Sequence, residues 1–190
     1  MTSKYTRIAV VGTYSSGKSV LVAELSRELA LPVSADSVKA KFREARGAGD
    51  LRVLDRPIEA AYLSLAALAE TATFENREAH FVTEGGTLNG VASAYVFTEE
   101  FGVPRELLFP LRTAGIGHAK RRYELVVYLP PEIPFERDGV RPDRPDLRLA
   151  IDSELVRLLD EEEIPYITVT GTVPERTRQV LLAAGALLPR

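Results

Sequence analysis

A run of small and polar residues that contains one lysine lies near the amino end of the chain. Its residues, Gly12-Thr13-Tyr14-Ser15-Ser16-Gly17-Lys18-Ser19, match the pattern G-x-x-x-x-G-K-[S/T] in full. Glycines in this pattern let the backbone curl so that successive N–H groups point at phosphate oxygens. The lysine reaches the β- and γ-phosphates, and the hydroxyl group after it binds Mg²⁺. We therefore expect this phosphate loop, Gly12–Ser19, and the following Val20 to hold the phosphates of ATP or GTP with Mg²⁺.

Two carboxylates follow other apolar runs and are suited to the same site. Glu84 ends one run, where it could orient Mg²⁺ beside Ser19; the alternative is an acid that faces solvent. Asp36 follows a weaker run, where it could accept the proton of an attacking hydroxyl group. It could equally cap a helix that starts at Ser37, since aspartate is a strong N-cap. We expect Ser19 and Glu84 to bind the metal ion, and both roles of Asp36 stay open.

A charged loop later in the chain carries several arginines. Residues 132–146 include Arg137, Arg141 and Arg144 among prolines and acids. Guanidinium groups in a loop that closes over ATP would neutralise charge on the transferred phosphoryl group. The alternative is a solvated loop whose arginines pair with acids. We expect Arg141 and Arg144 to act in phosphate transfer together with Lys18.

The elements that must position these residues follow an alternating pattern. Short apolar runs predict five strands, which end at Val11, Ala35, Glu84, Leu129 and Val169. Helical spacing follows each strand, and this alternation predicts a parallel sheet with right-handed crossovers and helices on both faces. Ligands on such sheets bind at the carboxyl ends of the strands. The loops after these five residues should therefore share one edge of a three-layer α/β fold, with the phosphate loop at that edge.

The spacing of apolar residues also predicts where the helices lie. Helices are expected over residues 18–31, 37–46, 58–76, 91–101, 147–159 and 174–188. We expect residues 107–117 to be irregular or partly helical. The basic cluster Lys120–Arg122 then precedes a strand and faces solvent, and His118 has a contact with substrate as one option.

Bulk composition limits the classes of function. The 190 residues suit one domain, residues 1–190, and are 45% hydrophobic and 27% charged, as in ordinary globular proteins. The absence of cysteine excludes disulfides and thiolate chemistry and fits a cytoplasmic location. The net charge of −3 gives no reason to expect nucleic acid or membrane partners, and no signal or membrane-spanning segment is visible.

Missing motifs narrow the choice further. The chain has no Asn-Lys-x-Asp guanine motif and no transport-type Ser-Gly-Gly signature. What remains is mainly the small-molecule kinases. Two rivals stay open: a nucleotide-dependent switch or assembly ATPase, and a module that binds nucleotide without turnover.

Three stretches give the chain a family resemblance. Gly12–Ser19, then Phe135-Glu-Arg-Asp-Gly-Val-Arg141, then Tyr166-Ile-Thr-Val-Thr-Gly171 followed by Arg176, resemble the AAA-type small P-loop ATPases. That group is similar to the ribosylnicotinamide kinase domain of bifunctional NAD-biosynthesis regulators. The resemblance implies a nucleoside-kinase-like fold and transfer of the γ-phosphate of ATP to a small hydroxyl compound. These 190 residues leave no room for a nucleotidyltransferase domain, so we do not expect a role in NAD synthesis from the resemblance alone.

The same resemblance implies places for further residues. Asp138 and Arg141 would belong to a mobile lid, within about residues 132–146. Gly171, Thr172 and Arg176 would lie near the adenine ring. Family members often carry an acid after the second strand, which Asp36 matches, and an aspartate at the metal strand, where this chain has Glu84.

These observations predict an ATP-dependent, Mg²⁺-requiring kinase of a small metabolite, with a nucleoside or riboside as the expected acceptor. The acceptor pocket is expected along residues 58–76 and 85–95. The sequence leaves the choice between ATP and GTP and the formation of a homodimer open.

Overall fold

The computed structural model describes residues 6–47, 57–100, 102–136 and 144–185. Within them the chain alternates between short strands and helices. The strands are β1 Arg7–Val11, β2 Val33–Ser34, β3 Phe81–Glu84, β4 Leu125–Tyr128 and β5 Tyr166–Thr168. The helices are α1 Lys18–Leu29, α2 Ser37–Gly47, α3 Pro57–Arg77, α4 Gly86–Glu100, α5 Phe109–Arg122, α6 Pro145–Glu161 and α7 Val173–Ala183, with a short 3₁₀ helix over Arg105–Leu108.

The described strands form one parallel sheet in the order β2-β3-β1-β4-β5, as the alternating pattern predicts. β1 is central, with β3 on one side and β4 on the other. Its register pairs Val10 with Glu84 and Val11 with Tyr128. The carboxyl ends of these three strands therefore meet at one edge, where the loop after β1 begins.

Side chains of β1 alternate between two apolar cores. Ala9 and Val11 pack on the face that carries α4, α5 and α6, whereas Ile8 and Val10 pack on the face that carries α1 and α7. All four are fully buried. A strand covered on both faces reads as a continuous apolar run, which is why the sequence revealed it. The three-layer arrangement is confirmed.

Two helical predictions were wrong in their extent. α4 starts at Gly86 rather than at residue 91, because Gly85 and Gly86 turn the chain directly after β3 with φ of +80° and +54°. Most of residues 107–117, which were expected to be irregular or partly helical, belong to the regular helix α5, which continues to Arg122. Position 115 in α5 is occupied by glycine, and a Cβ atom there would come within 2.5 Å of Val91 on α4.

The extent of α5 also corrects the environment of its basic end. Arg122 belongs to the last turn of α5 rather than to a solvated segment before β4. Its guanidinium group donates to the main-chain oxygens of Glu75, on α3, and Glu78, just after it, at 2.7 Å for Glu78.

No helix in the described part of the chain is long and apolar enough to cross a membrane.

Candidate functional site

The phosphate loop curls tightly between β1 and α1. Gly12 has a φ of +149°, and a Cβ atom there would come within 2.5 Å of the Leu129 carbonyl oxygen. Gly17 has a φ of +90° and is the N-cap residue of α1. Side chains would strain both positions, which explains why the pattern needs glycine there. The amino end of α1, with its positive dipole, thus faces the interior of the loop.

A cavity of about 490 Å³ opens over this loop. Residues 15–20 form one side of it, and Lys39, Glu84, Ile133 and Glu136 form the rest. The walls therefore come from α1, α2, the end of β3 and the segment after β4. Their ionisable groups are two lysines and two glutamates, counting Lys18.

Lys18 lies inside the loop and is only 4% exposed. Its ammonium group donates a hydrogen bond of 2.7 Å to the carbonyl oxygen of Thr13. The loop therefore holds the ammonium group close to its own main chain. The contact of Lys18 with the β- and γ-phosphates stays a prediction.

Ser19 and Glu84 meet at the edge of the sheet. The Ser19 hydroxyl group donates to Glu84 Oε1 at 2.5 Å. Hydroxyl and carboxylate oxygens suit Mg²⁺, which keeps several waters and takes its other ligands from phosphates. Such a site needs few protein ligands, and the described residues contain no cluster of three or more His, Cys, Asp or Glu side chains. The two residues fit a magnesium ion that arrives with a nucleotide.

Asp36 caps α2, which was one of its two expected roles. Its Oδ1 atom accepts a hydrogen bond of 2.9 Å from the main-chain N–H of Lys39. The second oxygen, Oδ2, is a separate acceptor, so capping and general-base catalysis are compatible roles. The catalytic role of Asp36 stays a prediction.

Arg144 is held by acids rather than by the cavity. Its guanidinium group contacts Asp146 at 2.9 Å and Glu100 at 2.6 Å, and hydrogen bonding from Arg144 lowers the pKa of Asp146 to about 2. This is the arrangement of paired loop arginines that the sequence left open. Arg137, Asp138 and Arg141 lie outside the described residues, so their roles stay predictions.

Tyr14 points away from the cavity, as expected for a large side chain within the loop. It is 6% exposed, and its hydroxyl group donates to the Arg144 carbonyl oxygen at 2.5 Å. Its ring lies edge-on to Phe135, with centroids 5.8 Å apart. Tyr14 therefore connects the phosphate loop to the segment before residue 137 and to the start of α6.

Arg148 on α6 supports the same loop, and the sequence analysis missed it. Its guanidinium group donates to the carbonyl oxygens of Ser15 at 3.3 Å and Ile133 at 2.6 Å. Its own carbonyl oxygen accepts a hydrogen bond of 2.8 Å from the Thr13 hydroxyl group. Arg148 is 6% exposed, so its guanidinium group contacts main-chain oxygens and has little contact with solvent.

Asn89 on α4 is a second residue that the sequence analysis missed. Its side-chain amide pairs with both main-chain groups of Gly12: Oδ1 accepts from the N–H at 3.2 Å, and Nδ2 donates to the oxygen at 2.6 Å. Asn89 also lies against Gly85: a Cβ atom at position 85 would come within 3.0 Å of the Cβ atom of Asn89. It therefore joins the phosphate loop to the turn that follows Glu84.

Arg176 on α7 supports the loop from the other face of the sheet. It is 2% exposed and donates to the Ser16 carbonyl oxygen at 2.8 Å and to Glu132 at 3.0 Å. The Gly171 N–H donates to the same Glu132 carboxylate at 3.3 Å, and Thr172 caps α7. Of the three residues expected near the adenine ring, Arg176 contacts the phosphate loop directly and Gly171 shares its acceptor Glu132, whereas Thr172 begins α7. Their contact with the base stays a prediction.

Asp152 adds a half-buried acid behind the loop. It accepts a hydrogen bond of 2.9 Å from the Tyr128 hydroxyl group. Burial raises the pKa of Asp152, and the nearby charges of Arg148 and Lys18 oppose that rise. Nothing in the local sequence pattern of α6 distinguished this acid from its exposed neighbours.

His118 lies in a buried network and not against a cavity over the loop. Its Nε2 atom is 2.6 Å from Glu75 Oε2, and both side chains are at most 5% exposed. The Tyr123 hydroxyl group donates to Glu75 at 3.2 Å and accepts from the Thr87 N–H at 2.7 Å. Burial is the main cause that raises the pKa of Tyr123 well above its usual value. This network fixes the amino end of α4.

The segment expected to line an acceptor pocket is mostly covered. Residues 86–88 and 90–98 of α4 are buried, and only Glu84, just before α4, lines the cavity from this side. The helix packs between α3, α5 and α6. Its contribution to the cavity is therefore to hold Glu84 and the phosphate loop in place.

Comparisons with known proteins agree with this fold. Residues 7–176 match a family model described as an AAA domain. A deoxyadenosine kinase from M. mycoides with bound dCTP superposes with a TM-score of 0.69 at 12% identity, over 95% of this chain and 99% of that kinase. No curated protein sequence matches significantly.

Two further solved structures share the architecture. A NadR protein in complex with NR gives a TM-score of 0.69 at 18% identity; the match covers 96% of this chain but 52% of NadR. Shikimate kinase from Acinetobacter baumannii in complex with shikimate gives 0.57 at 16% identity, over 97% of this chain and 96% of that enzyme. At such identities the likeness establishes the fold that these small kinases share.

Proposed function

We propose, from the premise that this chain belongs to the AAA-domain family of P-loop proteins, that it is a Mg²⁺-dependent kinase. It would transfer the γ-phosphate of ATP to a small hydroxyl compound, with a nucleoside or riboside as the preferred acceptor. The observation that carries the proposal is the meeting of Lys18, Ser19 and Glu84 at one cavity above a tightly curled glycine loop. The fold shared with small kinases supports it.

The residues that line the cavity, together with Asp36 at the start of α2, would divide the work of the transfer. The phosphate loop and Lys18 would hold the β- and γ-phosphates in position for in-line attack. Mg²⁺, held by Ser19 and Glu84, would supply charge neutralisation. Asp36 would accept the proton of the acceptor's hydroxyl group. At the same time the new O–P bond would form and the bond between the γ-phosphorus and the oxygen of the departing ADP would break. Because Arg144 is paired with acids, the charge-neutralising role expected of it would require it to leave them.

Composition supports a cytoplasmic location and a small-molecule partner, which are also part of the proposal. The chain has no cysteine, which suits a reducing cytoplasm, and its charge balance favours small-molecule partners over nucleic acid. The proposed donor is ATP, and GTP is the alternative to be measured beside it.

A coupled assay of ADP release tests the proposal. Purified protein is incubated with ATP, Mg²⁺ and a panel of nucleosides, ribosides and other hydroxyl metabolites, with Lys18→Ala as the blank. A kinase releases ADP slowly when it is alone with ATP, by hydrolysis, and faster when its acceptor is present, by transfer. Mass spectrometry then detects an acceptor that has gained a phosphoryl group. Stimulation by a protein partner, with no phosphorylated small molecule, would instead identify a switch ATPase.

A further inference from the structure

A second lysine lines the cavity opposite the phosphate loop. Lys39 lies in the first turn of α2 and forms part of the cavity wall together with Lys18, Ser19 and Glu84. The sequence analysis did not single it out, because it belongs to an ordinary charged helix. It reaches the cavity because α2 begins just after β2, at the edge of the sheet where β3 delivers Glu84.

The backbone of Lys39 is fixed where the helix starts. Its N–H donates to Asp36 Oδ1 at 2.9 Å, which closes the first turn of α2. The amino end of α2 adds a positive partial charge to the same region. The backbone that carries Lys39 is therefore held at a defined point of the cavity wall.

Two of the charged groups that line the cavity, those of Lys18 and Glu84, are fixed by hydrogen bonds. Lys18 is held inside the loop by the Thr13 carbonyl oxygen, and the Glu84 carboxylate is held by Ser19. A nucleoside triphosphate keeps net negative charge even with Mg²⁺ bound, and that charge is concentrated at its terminal phosphate. Because a partly enclosed site weakens screening, a cation there acts more strongly than one on the open surface.

We propose that Lys39 binds the γ-phosphoryl group of the donor nucleotide and stabilises it during transfer. This inference rests on the proposed kinase function. It assigns a ligand contact to a residue on the acceptor side of the cavity, so that the terminal phosphate is held between Lys18 and Lys39.

The same helix offers a matched control. Lys41 lies two residues further on, where its ammonium group pairs with Glu70 at 2.5 Å and Glu44 at 3.0 Å. It lies outside the cavity lining. Lys39→Met and Lys41→Met therefore remove the same charge from the same helix, and only the first removes a group from the cavity.

Calorimetry with a non-hydrolysable ATP analogue and with ADP, both with Mg²⁺, tests the inference. Lys39→Met should weaken binding of the ATP analogue about tenfold, the usual effect of losing a charged hydrogen bond. Binding of ADP, which lacks the γ-phosphate, should change less than about twofold. Lys39→Arg should restore most of the analogue's affinity, and Lys41→Met should leave both affinities as in the wild type.

Each other outcome overturns the inference in a recognisable way. Equal effects of Lys39→Met and Lys41→Met on the analogue would show that Lys39 makes no contact with the nucleotide. Equal losses for the ATP analogue and ADP would remove the assignment to the γ-phosphate. If the wild-type protein bound neither nucleotide, the proposed function itself would fall, and this inference with it.

Discussion

The two sides of the cavity are built in different ways. Most of the phosphate loop is buried, and it is held by side chains from both faces of the sheet. Asn89, Arg148 and Arg176 contact its main chain from positions far along the sequence. α2, on the other side, is half-buried. It is held by the Asp36 cap, by a hydrogen bond of 2.9 Å between Thr71 and Ser37, and by ion pairs of Lys41.

This difference matches the chemistry expected of each side. A donor site must hold the same triphosphate each time, so a loop fixed by many long-range contacts is suitable. An acceptor side formed by a half-buried helix can adjust when a substrate enters. The comparison predicts that changes on the loop side alter nucleotide binding, whereas changes on α2 other than at Lys39 mainly alter the rate of transfer.

Lys18→Ala should have the largest effect. Removal of the buried ammonium group takes away the charge on which binding of the β- and γ-phosphates depends, so ADP release should fall by about 100-fold or more. Calorimetry with ATP and Mg²⁺ should show the matching loss of affinity. An unchanged affinity would contradict the role of the phosphate loop and remove one side of the comparison.

Asp36→Asn separates the two roles of Asp36. Asparagine is as good an N-cap as aspartate, so the melting temperature should stay that of the wild type. The rate of phosphate transfer should fall about 100-fold if the carboxylate is the base, with little change in the KM for ATP.

Asp36→Ala serves as its control. It should lose the same activity and, in addition, about 1 kcal/mol of unfolding free energy with the cap. A fully active Asp36→Asn variant would leave Asp36 with the cap alone and would place the base elsewhere.

Asn89→Asp tests how much the support of the loop matters. The change removes the donor to the Gly12 carbonyl oxygen and turns a carboxylate toward it, which should lower the unfolding free energy by about 1–3 kcal/mol. Nucleotide affinity should fall about tenfold, because Gly12 begins the phosphate loop.

Thr98→Ala is the matched change on α4. Thr98 is buried, and its hydroxyl group donates to the Ala94 oxygen at 2.6 Å and to the Tyr95 oxygen at 3.2 Å, both on its own helix. It should reduce stability and leave nucleotide affinity intact. Equal affinities of the two variants would mean that Asn89 stabilises the fold without positioning the loop.

Asp152→Asn should have the smallest effect, and its sign depends on pH. Because burial raises the pKa of Asp152 in the folded protein, the ionised acid weakens the folded state above that pKa. Replacing it with a neutral amide should raise the melting temperature slightly at pH 7. The gain should shrink as the pH falls through the pKa and the wild-type acid becomes neutral. Thermal unfolding at pH 7 and pH 4 measures the difference, and a loss of stability at pH 7 would contradict it.

The parts of the molecule that could be predicted from sequence are those set by neighbours in the chain. The buried run of β1, the glycine loop and the turn after Glu84 follow from local residue types. Asn89 and Arg148 could not be recognised, since their partners in the phosphate loop lie 77 and 133 residues away, and Lys39 meets that loop only across a cavity. The full length of α5 was not predicted because Gly115 and Gly117 weaken its pattern, and only the packing against α4 explains the first of them.

Gly115 is far from the phosphate loop in the chain, yet the two are linked by one helix. A methyl group at this position would press on Val91 at 2.5 Å and Leu68 at 2.9 Å, and α4 would have to yield. The same helix carries Asn89 and follows directly on Glu84. An alanine at position 115 would therefore press on α4 only two residues from Asn89, so this glycine helps to set the position of a side chain that contacts the phosphate loop.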